Sequence, residues 1–203
     1  SDANRPLPHV LDAGGTIRFA HRAADAGGRP LWQVPIGAPS APAALQQSPA
    51  IGTSIYAIGA DSGLPLFLHM RDAHFDFHAI LRAVRDQLSD VVVHCFTGSR
   101  DELRDYLDLD CHIGITGWIC DERRGTHMQD YLKDIPAERL LVETDAPYLK
   151  PRNLRPRVKT HRNEPGWLLW IGAAAGAARG EHPAYVAERT TANARRFFRI
   201  GKL

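Results

Sequence analysis

Four short apolar runs constrain this chain more than any other feature. Leu64 to Leu68 ends in His69, and Val91-Val92-Val93 ends in His94. Cys111 to Thr116 is closed by Gly117, and Leu140-Leu141-Val142 runs into Glu143-Thr144-Asp145. Runs this short and this apolar predict strands buried in a sheet interior. Between the first two, Phe77, Ile80, Leu81, Val84 and Leu88 recur at helical spacing. Ser99-Arg100-Asp101-Glu102 is a capping box, whose Ser and Glu side chains satisfy the first free amides of a helix. Met128 to Lys133 reads as a further helix, and Pro165 to Ala178 and Pro183 to Phe198 as two C-terminal ones. Strands alternating with helices predict an α/β fold with a parallel sheet covered on both faces.

The chain changes character near residue 54. Its first fifty residues hold seven of the 14 prolines and no glutamate; the first glutamate is Glu102. Ile36 to Pro42 reads as irregular or extended backbone, and a weak strand is expected within Thr16 to Ala20. The expected organisation is an irregular segment over 1–54 followed by a regular α/β portion over 55–203.

At 203 residues the chain can bury one sizeable core. A formal net charge of +2 excludes a polycation, so nucleic-acid affinity requires a local patch. Three cysteines, none in a Cys-x-x-Cys pair, argue against a disulfide scaffold and fit a reducing compartment. No apolar run is long enough for a bilayer span and no signal-peptide core is present, so a cytoplasmic location without membrane partners is expected.

Three of the four strands end in His69, His94 and the Asp145 segment. In parallel α/β proteins, functional groups gather at the C-terminal strand ends. Imidazoles plus a carboxylate suit Zn²⁺, Mn²⁺ or similar ions, which polarise phosphoryl oxygens and activate water. Asp145 can ligate and also orient an attacking water. A histidine at one strand end is more often structural, so spacing alone places a metal site only slightly ahead of that simpler explanation.

The local sequences add to this. Leu66 to Ala73 (LFLHMRDA), Val93 to Gly98 (VHCFTG), Ile113 to Gly117 (IGITG), Glu143 to Leu149 (ETDAPYL) and Arg162 to Pro165 (RNEP) occur in this order. Together they closely resemble the TatD family of metal-dependent deoxyribonucleases over roughly residues 56–200. The resemblance implies a TIM-type (β/α)8 barrel of the metallo-dependent hydrolase kind, with a divalent metal (Mg, Mn or Zn) at its C-terminal face. It implies phosphodiester hydrolysis, typically 3′-5′ exonucleolytic on DNA, with RNA as the secondary substrate. By this match His69, His94 and Asp145 fall on metal ligands, and Asp145 on the catalytic aspartate.

The front of the chain departs from the family pattern. The family's first strand carries a His-x-His pair and a later strand a ligating glutamate. Residues 1–55 offer only His9 and His21. About four βα units are recognisable, which makes the expected barrel incomplete; a full one takes about 250 residues. Weak metal affinity and reduced activity follow as expectations, and a catalytically impaired remnant that binds nucleic acid or metal weakly is the alternative reading. A small-substrate amidohydrolase is a third.

Substrate contacts are expected from Arg71, Tyr148 and Arg162. Arg71 can reach a phosphate or pair with Asp72 or Asp76, and Tyr148 can stack on a base or pack internally. Arg162 closes a stretch beginning at Lys150 with six Lys or Arg in thirteen positions and no acid. Asp121 to Arg124 is expected over the mouth of the site, with a surface ion-pair cluster as the alternative. His74 and His78 read as surface residues, and Cys95 as a buried small residue. An open sheet edge beside the first recognisable strand makes self-association an expectation.

Overall fold

The computed structural model describes Val10–Leu11, Ile17–Arg18, Gln33–Val34, Tyr56 and residues 59–200. The chain divides into two units between Gly63 and Leu64.

In the first unit, β1 (Val10–Leu11), β2 (Ile17–Arg18) and β3 (Gln33–Val34) form an antiparallel sheet in that order. The strand expected within Thr16 to Ala20 is present as Ile17–Arg18. The Ile36 to Pro42 segment, His9, His21 and the 54/55 boundary lie outside the described residues.

The second unit alternates strand and helix. It runs β4 (Leu66–His69), α1 (His74–Val84), β5 (Val91–His94), α2 (Arg100–Asp108) and β6 (His112–Ile115). It continues through α3 (Thr126–Tyr131), β7 (Leu140–Val142), α4 (Leu168–Arg179) and α5 (Pro183–Phe197). All four strands are parallel, in the order β4-β5-β6-β7. The register sets His69 opposite His94, Val92 opposite His112, and Gly114 opposite Leu141.

Every residue of β6, and Val91 to Val93 of β5, is buried. β4 stands at the end of the strand order and alternates instead: Leu66 and Leu68 are buried while Phe67 and His69 are exposed. The expectation of full cover on both faces therefore holds for the central strands and not for β4, which has a neighbour on one side only among the described residues. Val92 and Leu141 pack on Phe197 of α5, and the His112 ring meets Phe197 edge-on at 5.1 Å.

Local chemistry sets the helix ends. Ser99 Oγ accepts from Glu102 N at 3.2 Å, and Glu102 Oε2 accepts from Ser99 N at 2.6 Å, which is the reciprocal box expected at α2. Periodicity carried α1 on to Leu88, but the helix ends at Val84 and one 3-10 turn follows at Arg85–Gln87. The Arg85 guanidinium explains this exit. Its Nε donates to Leu109 O at 2.7 Å and its Nη1 to Leu88 O and Ser89 O at 3.0 Å. The helix expected over Met128 to Lys133 is α3, shifted two residues earlier, followed by a 3-10 turn at Leu132–Asp134. Gly180, at φ +68°, closes α4 in the left-handed conformation that favours glycine.

His74 is not the surface residue expected from sequence. Its Nε2 lies 3.1 Å from Asp105 Oδ2 and its Nδ1 2.9 Å from Tyr106 Oη, tying α1 to α2. Its spacing from His78 places the two rings in a stack at 5.5 Å. None of the described helices is long and apolar enough to cross a membrane.

Candidate metal centre

Three of the strand ends share one backbone device. Soon after β4, β5 and β7 come Asp72, Cys95 and Asp145, with φ of +53°, +50° and +54°. Residues with a Cβ rarely adopt this left-handed region, and each such residue costs about 1 kcal/mol or more. Strain of this kind gathers where the surrounding structure must aim a side chain.

Parallel pairing brings His69 and His94 side by side. His69 Nδ1 and His94 Nε2 are 2.8 Å apart, one nitrogen donating to the other, and the ring centroids are 4.8 Å apart. His94 also packs on Phe67 at 4.7 Å. The third group is Glu143. Its Oε1 accepts from the Cys95 backbone N–H at 2.6 Å and lies 3.3 Å from His94 Nδ1. That approach is close enough for an ion pair but not aligned as a hydrogen bond, so the buried Nδ1 makes none. His69 is held below the usual imidazole range. Withdrawal of its ring from water is the larger cause, the His94 ring adds to it, and Asp145 and Glu143 pull the other way.

Asp145 opens a tight loop. Its carbonyl accepts from Tyr148 N at 2.8 Å. Asn163, only 2% exposed, fastens this loop from behind. Its Nδ2 donates to Thr144 O at 2.7 Å and to Tyr148 O at 2.6 Å, and its Oδ1 accepts from Glu164 N at 2.8 Å. Gly117 is required where the loop passes: a Cβ there would strike Leu149 O.

Of the residues expected to touch substrate, Arg71 acts on the His69 ring through its charge. Arg71 is exposed, with Nε 3.9 Å from Asp72 Oδ2, a loose version of the ion pair weighed from sequence. Tyr148 is 70% exposed, which removes the packing explanation. Arg162 is exposed, its backbone N–H donating to Thr160 Oγ1 at 3.1 Å. Within the basic stretch, Lys150 Nζ donates to Val158 O and Thr160 O and curls the loop. Arg152 pairs with Glu122 at 2.9 Å, which holds that exposed carboxyl down at about 2. Asp121 is buried and accepts from Arg123 and Arg124, and these donors keep its carboxyl well below the usual range. Arg124 also lies over Trp118, 4.4 Å from the ring centroid. The Asp121 to Arg124 segment is thus the ion-pair cluster weighed as an alternative. Cys95 is buried, as expected, with Sγ 3.5 Å from Thr116 Oγ1.

Sequence reasoning assigned no role to Glu143, Gly114 or Asn163. Glu143 stood beside Asp145 and Asn163 inside the RNEP motif, so their neighbourhood was visible and their partners were not.

The TatD related DNase family matches this chain over residues 42–199. The chain belongs to the TatD related DNase family. It is 48% identical over 155 residues to the 3′-5′ ssDNA/RNA exonuclease TatD of Klebsiella pneumoniae, covering 76% of this chain and 59% of that protein. It is 51% identical over 141 residues to the protein so named in Cronobacter sakazakii, covering 70% of this chain and 54% of the relative. The chain thus spans little more than half the length of these curated relatives. Among solved structures, a TatD homologue from Escherichia coli superposes with TM-score 0.63 at 25% identity, over 72% of this chain and 54% of that one. A TatD family hydrolase from Entamoeba histolytica superposes with TM-score 0.60 at 23% identity, over 73% and 55%. The fold is the α/β architecture of this family, with four parallel barrel strands among the described residues.

The donor chemistry of the TatD centre fits a divalent ion. Two imidazole nitrogens bound to one ion at roughly 2.0–2.1 Å each lie about 3 Å apart, and the His69–His94 separation of 2.8 Å is close to that. The pair offers two donor nitrogens. Among the described residues no three His, Cys, Asp or Glu side chains gather closely enough to hold an ion. Asp145, expected as the third ligand, acts on His69 through its charge.

Proposed function

We propose that this chain carries part of the active centre of a nuclease that hydrolyses phosphodiester bonds in single-stranded nucleic acid, in the 3′-5′ exonucleolytic manner for which its relatives are named. The observation that carries this reading is the imidazole pair at adjacent strand ends, within the electrostatic reach of Asp145. In this reading His69, His94 and Asp145 hold a divalent ion (Mg, Mn or Zn), which when bound supplies positive charge that polarises a phosphoryl oxygen. Asp145 also takes the proton from the attacking water. Arg71 and Arg162 bind backbone phosphates, and Tyr148 offers an exposed ring for a base to stack on.

The test is cleavage of a labelled single-stranded oligonucleotide with Mg²⁺, Mn²⁺ or Zn²⁺ added. Asp145→Asn should abolish cleavage; unchanged cleavage by the variant would sink the reading. One observation favours a second reading: the described residues supply only two close ligands. The chain would then bind nucleic acid through its 150–162 loop without cutting it. Binding retained in EDTA, with no cleavage under any of the three metals, would select that reading.

A further inference from the structure

The six cations of the 150–162 stretch are not equivalent. The stretch is pinned at both ends. Pro151 and Leu154 are buried at its start, where Asn153 Nδ2 donates to Trp170 O at 3.5 Å. Asn163 is buried just beyond its end. Between these pins, every residue over 155–162 is exposed. Three of the cations are already engaged. Lys150 Nζ donates to Val158 O at 3.3 Å and to Thr160 O, which braces the exposed span. Arg152 grips Glu122 at two points, Nε to Oε2 at 3.0 Å and Nη2 to Oε1 at 2.9 Å. Arg155 Nη1 donates to Leu154 O at 2.9 Å. Among the described residues, the side chains of Arg157, Lys159 and Arg162 make no ion pair and no hydrogen bond. Three free cations held close together repel one another, and a chain of anions relieves that repulsion.

We propose that Arg157 and Lys159 join Arg162 in gripping successive phosphates of a single strand, and that Lys150 is the positioning residue that presents them. The charges that can meet phosphate are those with no acid or carbonyl already on them, which selects these three and sets Lys150 and Arg152 aside. Lys150 acts by shape. Its bonds to two carbonyls of the span order the loop in advance, so that ordering is not left to be met on binding. The grip is also tied to the metal centre. Asn163, next after Arg162, donates to the carbonyls of Thr144 and Tyr148 on either side of Asp145. A phosphate held by Arg162 is therefore one residue from the tie that fastens the Asp145 loop. The inference rests on the nucleic-acid reading for the identity of the ligand; the sorting of the cations is tested without cleavage.

The experiment is fluorescence anisotropy of a labelled oligo-dT of about twelve nucleotides, titrated with the full chain in EDTA at a series of NaCl concentrations. For a single strand, log affinity falls against log salt with a slope of about 0.7 per phosphate neutralised. Arg157→Gln combined with Lys159→Gln should therefore make that slope shallower by roughly 1.4. Arg82→Gln combined with Lys133→Gln is the control. It removes the same charge from the last turn of α1 and the turn after α3, where the chain approaches the N-terminal ends of β5 and β7. That pair should leave the slope as it is. All four side chains are exposed, so the variants should fold as the wild type does. Lys150→Met should weaken binding several-fold at every salt concentration and keep the wild-type slope. An unchanged slope in the loop variant overturns the proposal, as does an equal change in the distant pair or a wild type that fails to bind at the lowest salt. A slope shallower by about 0.7 in Lys150→Met would make Lys150 a phosphate contact and overturn its positioning role. Neither metal nor cleavage enters, so failure here leaves the Asp145→Asn test of the nuclease reading standing, and failure there leaves the slopes standing.

Discussion

Asn163→Asp keeps the shape of a buried side chain and removes only its ability to donate. In the wild type Asn163 Nδ2 serves the carbonyls of Thr144 and Tyr148, on either side of the Asp145 loop. A carboxylate there faces both carbonyls with no hydrogen to offer. Each buried acceptor left unsatisfied costs about 1–3 kcal/mol, so the two together cost roughly 2–6 kcal/mol, around a centre of about 4. With an m-value of about 2 kcal/mol/M for urea, the unfolding midpoint should fall by roughly 2 M. Urea titration followed by tryptophan fluorescence measures this directly. Proton linkage adds a second signature. The new carboxyl is destabilised as an anion, so its folded pKa lies above the unfolded value of about 3.9. Stability relative to the wild type is then best below that value and is lost as pH rises through the folded pKa. The deficit should widen between about pH 4 and pH 7. A loss under about 1 kcal/mol at pH 7, or a deficit that shrinks with rising pH, would refute the role given to Asn163.

Other outcomes follow from the same structure. His112 is buried, and burial first, then the Arg139 charge, lowers its pKa; Asp90 and Asp110 oppose this, and Arg196 adds to the lowering. Its neutral form stabilises the fold above the unfolded value of about 6.5, and that contribution is lost as pH falls through it; His112→Leu should flatten the stability–pH slope between pH 7.5 and 5, and an unchanged slope counts against it. Burial pushes the thiols of Cys111 and Cys120 up to about 12 and raises Cys95 as well. A thiol–disulfide exchange reagent should therefore label none of them in the folded chain and all three in denaturant; fast labelling of any one would contradict the packing. The Asp121 carboxyl is held low, so its stabilisation is present above the unfolded carboxylate value of about 3.9 and lost as pH falls past it. Asp121→Asn should thus destabilise at neutral pH and converge with the wild type in acid, as read from parallel melting curves.

Much of the α/β portion was legible because its signals are local. Short apolar runs, a Ser-Glu capping box and the proline at Pro183 act within a few positions and found their elements, whereas Pro165 opens a 3-10 turn and the helix follows only at Leu168. His69 and His94 were legible as a pair because a parallel register aligns strand ends. What sequence could not provide was reach. The end of α1 is set by Arg85 bonding to Leu109, and the Asp145 loop by Asn163, which touches carbonyls 15 and 19 residues away. Such contacts leave no period in the chain. His74 misled for the same reason, since its partners stand on α2, more than thirty residues on.

Gly114 has a consequence for anyone who would engineer this chain. A glycine inside a strand is an obvious place to gain stability, since alanine there restricts the unfolded chain and suits the sheet better. At this position the substitution sets the stability of β6 against the reach of Glu143, whose Oε1 an added Cβ would strike. The same methyl group would close the path by which Glu143, directly after β7, reaches the backbone N–H of Cys95 and the His94 ring. Screens that reward thermal tolerance alone would be drawn to it, and screens that also follow the Glu143–Cys95 contact would reject it. The empty space above Gly114 is therefore a working part of the molecule, defined by an atom that must stay absent.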